Sequence, residues 1–211
     1  MSDPATIGLV DDEPGMLRAL SRLLWAKGFA VLTFESPEVF LAVLADARIN
    51  CLVLDVVMPG LNGLDLQAHL KRIGNRLPII FLTGQGDIPM SVRAIKAGAV
   101  NFLTKPVDQE EILAAVNVAL AEGERDRAEN ESLARLRARI ERLTPRELEV
   151  LRHVITGKLN KQIAADLDVG EMTIKIHRMR ITEKMGLVSV AELVRAAQQL
   201  GIAPAGCERA R

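Results

Sequence analysis

The chain has 211 residues, 27 basic and 27 acidic side chains for a net charge of +0, two cysteines, 49% hydrophobic residues, one Trp, five Phe and no Tyr. That length holds one large or two small domains with enough apolar mass for a core, two cysteines cannot build a disulfide framework, and no apolar run approaches the ~20 residues that cross a bilayer. The N-terminus MSDPATIGLVDDE has acids where a signal peptide has bases, so a soluble, cytoplasmic protein is expected, and zero net charge taken alone argues against a nucleic-acid partner.

Five short apolar runs come first: IGLV (7–10), AVLTF (30–34), CLVLDVV (51–57), PIIFLT (78–83) and VNFL (100–103). Helix-like stretches over 14–27, 37–45, 64–73, 88–97 and 107 to about 121 follow them in turn. Strand and helix alternating five times predict an α/β domain with a doubly wound parallel sheet. A run such as CLVLDVV, apolar on both faces, suits a sheet covered on both sides.

Ligands of such sheets bind beyond the carboxyl ends of the strands. Asp11 and Asp12 follow the first run, Asp55 comes late in the third, Thr83 ends the fourth, and Lys105 follows the fifth, directly before Pro106. Three carboxylates in a small cavity repel one another, and a hard divalent cation such as Mg²⁺ relieves them. Lys105 offers a second positive charge, and the Thr83 hydroxyl can donate to an anion. Together they describe a site that binds and transfers a phosphoryl group, with a carboxylate as nucleophile. A metal-dependent phosphatase built on Asp55 would want a second acid two residues on, and Val57 stands there.

The segments LVDDE, LDVVMPGLNGLDL, FLTGQGD and FLTKP resemble, in order and spacing, the receiver domain of two-component response regulators, over residues 5–121. The resemblance implies a (βα)5 flavodoxin-like fold with Asp55 as phosphoacceptor. Asp11, Asp12, Asp55 and the backbone carbonyl of Val57 would hold the metal, and Thr83 and Lys105 the phosphoryl oxygens. Phe102 matches the switch aromatic and, in a chain with no Tyr, offers no hydroxyl; it also reads as a plain core residue. The Lys105–Pro106 bond is expected to be cis, as in the family. Gly60 and Gly63 are expected to serve a loop that needs positive φ.

From Glu122 to Arg142, 12 of 21 residues are charged, which marks 122–143 as a linker between a receiver at 1–121 and whatever follows. Leu133, Leu136, Ile140 and Leu143 form one stripe of a helix. It reads as a solvated connecting helix or a short coiled-coil seam, either continuous from residue 107 or broken. Splitting the charge here gives −4 for residues 1–123, +1 for 124–143 and +3 for 144–211, so neutrality is a cancellation.

Thr144, Pro145 and Glu147 spell a helix start with a capping box. Leu148, Leu151, Val154 and Ile155 form one stripe, and the helix stops by Gly157. Further helices are expected over 160–167, 171–185 and from Ser189 to near Leu200, an all-α module with a helix-turn-helix at its centre. The segments LTPRELEVLRHVITGKLNKQIAADL and TIKIHRMRITEKMG resemble the LuxR-type helix-turn-helix of the FixJ/NarL group. That resemblance implies a four-helix DNA-binding domain over 144–203, with Lys161, Thr173, Lys175, Ile176, His177, Arg178 and Lys184 as candidate contacts. Lys175 and Ile176 are the best placed for base edges.

The whole reads as a phosphorylation-dependent DNA-binding regulator rather than an enzyme. A sensor histidine kinase and promoter DNA are its partners, with homodimerisation on phosphorylation and contact with RNA polymerase, and no membrane. The competing reading is a phosphate-independent regulator gated by protein contact; the complete acidic set argues against it. Cys51 reads as a buried strand residue, Trp25 as a packing residue, and His69 and His153 as helix-surface residues. The tail 204–211, which contains Cys207, is expected to be disordered.

Overall fold

The computed structural model describes residues 4–84 and 88–206; Gln85, Gly86 and Asp87 of the FLTGQGD segment, and the tail from Cys207 on, lie outside the described residues. The chain divides into two compact units between Arg127 and Ala128.

In the first unit, strands β1 (Thr6–Val10), β2 (Ala30–Phe34), β3 (Cys51–Asp55), β4 (Ile79–Thr83) and β5 (Asn101–Thr104) alternate with helices α1 (Pro14–Ala26), α2 (Pro37–Val43), α3 (Gly63–Arg72), α4 (Ile88–Lys96) and the first part of α5 (Gln109–Ile140), whose residues from Ala128 on belong to the second unit. The strands pair in parallel in the order β2-β1-β3-β4-β5, the flavodoxin-like arrangement. Successive strand side chains face opposite ways, so each central strand feeds two cores. Cys51, Val53, Ile80 and Leu82 pack with Leu17, Leu20 and Leu24 of α1 and Ile112, Ala115, Val116 and Ala119 of α5. Leu52, Leu54, Ile79 and Phe81 pack with Phe40 of α2, Leu66 and Leu70 of α3 and Ala94 of α4.

One expectation is corrected here. Trp25 does not pack: Leu17, Leu20 and Leu24 take the inward face of α1 and leave it 76% exposed. Of the two readings of the charged segment, continuous or broken, the first holds: α5 runs unbroken from Gln109 to Ile140. Its single glycine has a steric reason, since a Cβ at Gly123 would lie 2.9 Å from Pro78 Cγ.

The second unit is helical, with α6 (Pro145–Val154), α7 (Asn160–Asp166), α8 (Glu171–Met185) and α9 (Val190–Gln199). The Thr144 hydroxyl accepts from the Glu147 amide while the Glu147 carboxylate accepts from the Thr144 amide at 2.8 Å, closing the capping box. Ser189 and Glu192 repeat the device on α9. One core gathers Val150, Leu151 and Val154 of α6, Ile163 of α7, Ile174, Ile181 and Met185 of α8, and Leu193 of α9. Leu136, Ile140 and Leu143 pack against it, so these three positions of the stripe have a partner within this unit. Within the tail, the Ala205 amide donates to the Arg152 carbonyl at 3.0 Å.

Candidate functional site

The carboxyl ends of β1, β3, β4 and β5 bring the polar residues of the first unit to one edge. Asp11 and Asp55 are buried, Asp12 is exposed, and a ligand oxygen from each lies within 4.8 Å of the others. The Glu13 amide donates to Asp11 Oδ1 at 2.9 Å and the Val57 amide to Asp55 Oδ1 at 3.1 Å; each carboxylate thus has one oxygen fixed by its own loop and the other turned inward. Lys105 Nζ lies 2.7 Å from both inward oxygens, Asp11 Oδ2 and Asp55 Oδ2, and 3.5 Å from Glu13 Oε1. Its backbone amide donates to the Thr83 carbonyl at 2.7 Å, and the Lys105–Pro106 bond is cis.

Burial pushes the Asp11 carboxyl above its ordinary value, and the Lys105 ammonium only partly offsets this. Burial works against the Lys105 charge, but its hydrogen bonds to Asp11 and Asp55 outweigh it and hold the ammonium above the usual lysine range. The lysine is therefore a fixed positive charge. Thr83 is fully buried at the end of β4. Phe102 is half-buried, its ring 6.2 Å from that of Phe81. The donor set, hard oxygens on a rigid sheet edge, fits a divalent cation.

The glycines of the loop after β3 differ in role. Gly60 has φ +78°, the left-handed region. Gly63 does not; it is needed for space, because a Cβ there would overlap the Asp55 carbonyl oxygen and approach the Phe81 ring at 3.1 Å. The residue beside the nucleophile candidate is thus fixed sterically, which the motif alone did not disclose. Glu13, the third acid facing Lys105, was also missed; its place beside Asp11 and Asp12 in DDE was the available signal.

In the second unit α8 buries Ile174, Ile181 and Met185 and exposes Thr173, Lys175 and Ile176; Lys161 is exposed on α7. Two of the candidate DNA contacts have partners inside the unit: Arg178 Nη1 donates to Asn160 Oδ1 at 3.0 Å, and Lys184 Nζ to Glu147 Oε2 at 2.6 Å. His177 is half-buried, with Nδ1 enclosed. His153 is not a free surface residue: it is half-buried with Nδ1 3.2 Å from Asp166, which also pairs with Lys158.

Burial raises the Glu147 carboxyl, but hydrogen bonds from Lys184 and Thr144 outweigh it and leave the group below its ordinary 4.5. A depressed carboxylate stabilises the fold above its unfolded value and loses that contribution as pH falls through the folded one. Thermal stability of the second unit should therefore fall off below the ordinary glutamate value, and Glu147→Gln should flatten that dependence while lowering stability at neutral pH. An unchanged pH profile in the variant would show that the pair contributes nothing.

Comparison with known proteins places each unit in a family. The family of the response regulator receiver domain matches residues 7–117, and that of bacterial regulatory proteins of the luxR family matches residues 141–197. The chain is 45% identical over 201 residues to the response regulator protein TodT of Pseudomonas putida, covering 95% of this chain and 88% of that protein. It is 39% identical to the transcriptional regulatory protein FixJ of Rhizobium meliloti, covering 94% and 98%. Among solved structures, response regulator StyR superposes with TM-score 0.80 at 39% identity over 94% of this chain and all of that one, and full-length FixJ from B. japonicum with 0.59 at 35% over 95% and 99%.

The chain belongs to the response regulators: a receiver domain joined to a LuxR-type DNA-binding domain. That combination serves phosphorylation-dependent control of transcription and implies a cognate kinase and DNA as partners. Both matched families are regulatory. Among the described residues no helix is long and apolar enough to cross a membrane.

Proposed function

We propose that Asp55 accepts a phosphoryl group from a phosphohistidine of a sensor histidine kinase in the cytoplasm, and that this raises the affinity of the second unit for promoter DNA. The observation that carries the reading is Lys105 Nζ seated 2.7 Å from both Asp11 and Asp55 at the edge of the sheet. An Asp55 oxygen attacks phosphorus; the O–P bond forms as the N–P bond breaks, and the imidazole leaves and takes up a proton. Lys105 and the Thr83 hydroxyl hold the phosphoryl oxygens. Asp11, Asp12, Asp55 and the Val57 carbonyl hold a divalent cation such as Mg²⁺, which supplies positive charge to the pocket and the phosphoryl oxygens when bound.

Beyond phosphotransfer and any self-dephosphorylation, the receiver carries no chemistry of its own. Thr83 and Lys105 drawn to the new anion bias a pre-existing equilibrium on the face of α4, β5 and α5, where Phe102 and Pro106 lie. That face exposes Val92 and Ile95 of α4 and Val118 of α5, which supports its use in homodimerisation. Dimerisation presents two helix-turn-helix units to two half-sites, with Lys161, Thr173, Lys175 and Ile176 at the DNA and Arg178, Lys184 and His177 set deeper. The bound dimer is then placed to contact RNA polymerase.

Acetyl phosphate with Mg²⁺ should give the unsubstituted protein a retarded band on a phosphate-affinity gel and tighter promoter binding. Asp55→Asn should give neither. An Asp55→Asn protein that still gained DNA affinity on this treatment would overturn the reading.

A further inference from the structure

The outward face of α8 is unusual in composition. Ile174, Ile181 and Met185 are buried, and on the opposite side Met172 (67% exposed), Ile176 (40%) and Met179 (60%) form an apolar line. At 3.6 residues per turn the three fall within an arc of about 60° and span about 10 Å of helix, or roughly three base-pair steps. Exposed Lys175 borders the line on one side and exposed Thr173 and Arg180 on the other. An apolar strip edged by positive charge suits a duplex groove, whose floor is read by the centre of the helix and whose walls are phosphate.

No Arg, Lys, Asn or Gln, the residues that pair bidentately with guanine and adenine edges, lies on this line itself; Lys175 stands at its border. Every base pair offers hydrogen-bonding groups in the major groove, but only thymine offers a methyl group there. Setting Met or Ile against a bare polar edge strips water from donors and acceptors and returns nothing. Setting them against a thymine methyl buries apolar surface on both sides.

We propose that Met172, Ile176 and Met179 read thymine C5-methyl groups, so that the half-site recognised by this protein carries adjacent T·A pairs beneath α8. This rests on the reading of the second unit as a DNA-binding domain, and names the chemistry by which that domain chooses its sequence. Burial of one methyl corresponds to about fourfold in affinity, and removing the Ile176 side chain abolishes the discrimination at the base beneath it.

The test starts from selection of binding sites out of random duplexes by the full-length protein, with and without acetyl phosphate and Mg²⁺. In the selected duplex each thymine is then replaced by uracil, which removes the methyl and leaves pairing intact. The expected result is adjacent thymines in each half-site, a loss of about fourfold per methyl beneath the helix, and unchanged affinity for non-specific DNA. Ile176→Ala should bind the thymine and uracil duplexes equally, and Met172→Ala and Met179→Ala should lose discrimination at the flanking positions. All three residues are exposed, so the variants keep the core.

If sites are selected but uracil binds as well as thymine throughout, or G·C pairs lie beneath the helix, the inference is overturned and the DNA-binding reading stands. If no sequence is selected and no duplex is bound, both fail together.

Discussion

Gly63→Ala is expected to cost the first unit about 2–3 kcal/mol, the upper part of the range for forcing an extra methyl into a packed site, and to slow phosphorylation sharply. The added Cβ would overlap the Asp55 carbonyl oxygen, which is backbone and cannot swing aside as a long side chain does. The Gly63 amide also donates to the Val56 carbonyl at 3.0 Å, so the turn is held against the strand end from both sides. Relief requires moving either α3 or the end of β3, and the latter carries the Asp55 side chain away from Lys105. Urea denaturation reads the first effect and the phosphate-affinity gel the second. An unshifted midpoint with normal phosphorylation would mean that the loop yields freely.

Lys105→Met is expected to cost about 3 kcal/mol, at the low end for breaking a buried ion pair from one side. Methionine keeps most of the stem but leaves Asp11 and Asp55 facing each other with no counter-charge, and both are buried. Added Mg²⁺ should return part of the loss by binding the folded form alone, so the melting temperature of the variant should rise more with the cation than that of the unsubstituted protein. Phosphorylation of Asp55 should fall even with the cation saturating. A melting temperature equal to that of the unsubstituted protein without Mg²⁺ would show that the attraction of the pair merely offsets its desolvation.

Much of the first unit was legible because sheet and helix impose different periods and the chain obeys both. CLVLD alternates two cores residue by residue, and the strand ends put Asp11, Asp55, Thr83 and Lys105 where a parallel sheet gathers its polar groups. The capping box at Thr144 is local and was readable for that reason; Ser189 opens its helix as expected, while its box with Glu192 emerges only in the structure. What escaped depends on contacts distant in sequence. Trp25 lies outside because three leucines had already filled the inward face of α1. Glu147 closes its cap as read, but its second duty to Lys184, 37 residues away, turns one candidate DNA contact into an internal strut. The role of Gly63 needs the Asp55 carbonyl in place to be seen. The linker stripe looked unpartnered because its partner core belongs to residues that come later in the chain.

The carbonyl end of α8 is closed by a side chain from α5: Arg139 Nη1 donates to the Met185 carbonyl at 2.9 Å, beside Gly186, which turns the chain at φ +62°. Arg139, with Leu136 and Ile140, precedes the segment 141–197 that defines the DNA-binding family. Grafting that segment alone into another regulator would transplant the reading helix without the latch at its far end. The portable module begins a full turn or more upstream of its recognisable pattern, inside what looks by composition like a mere tether.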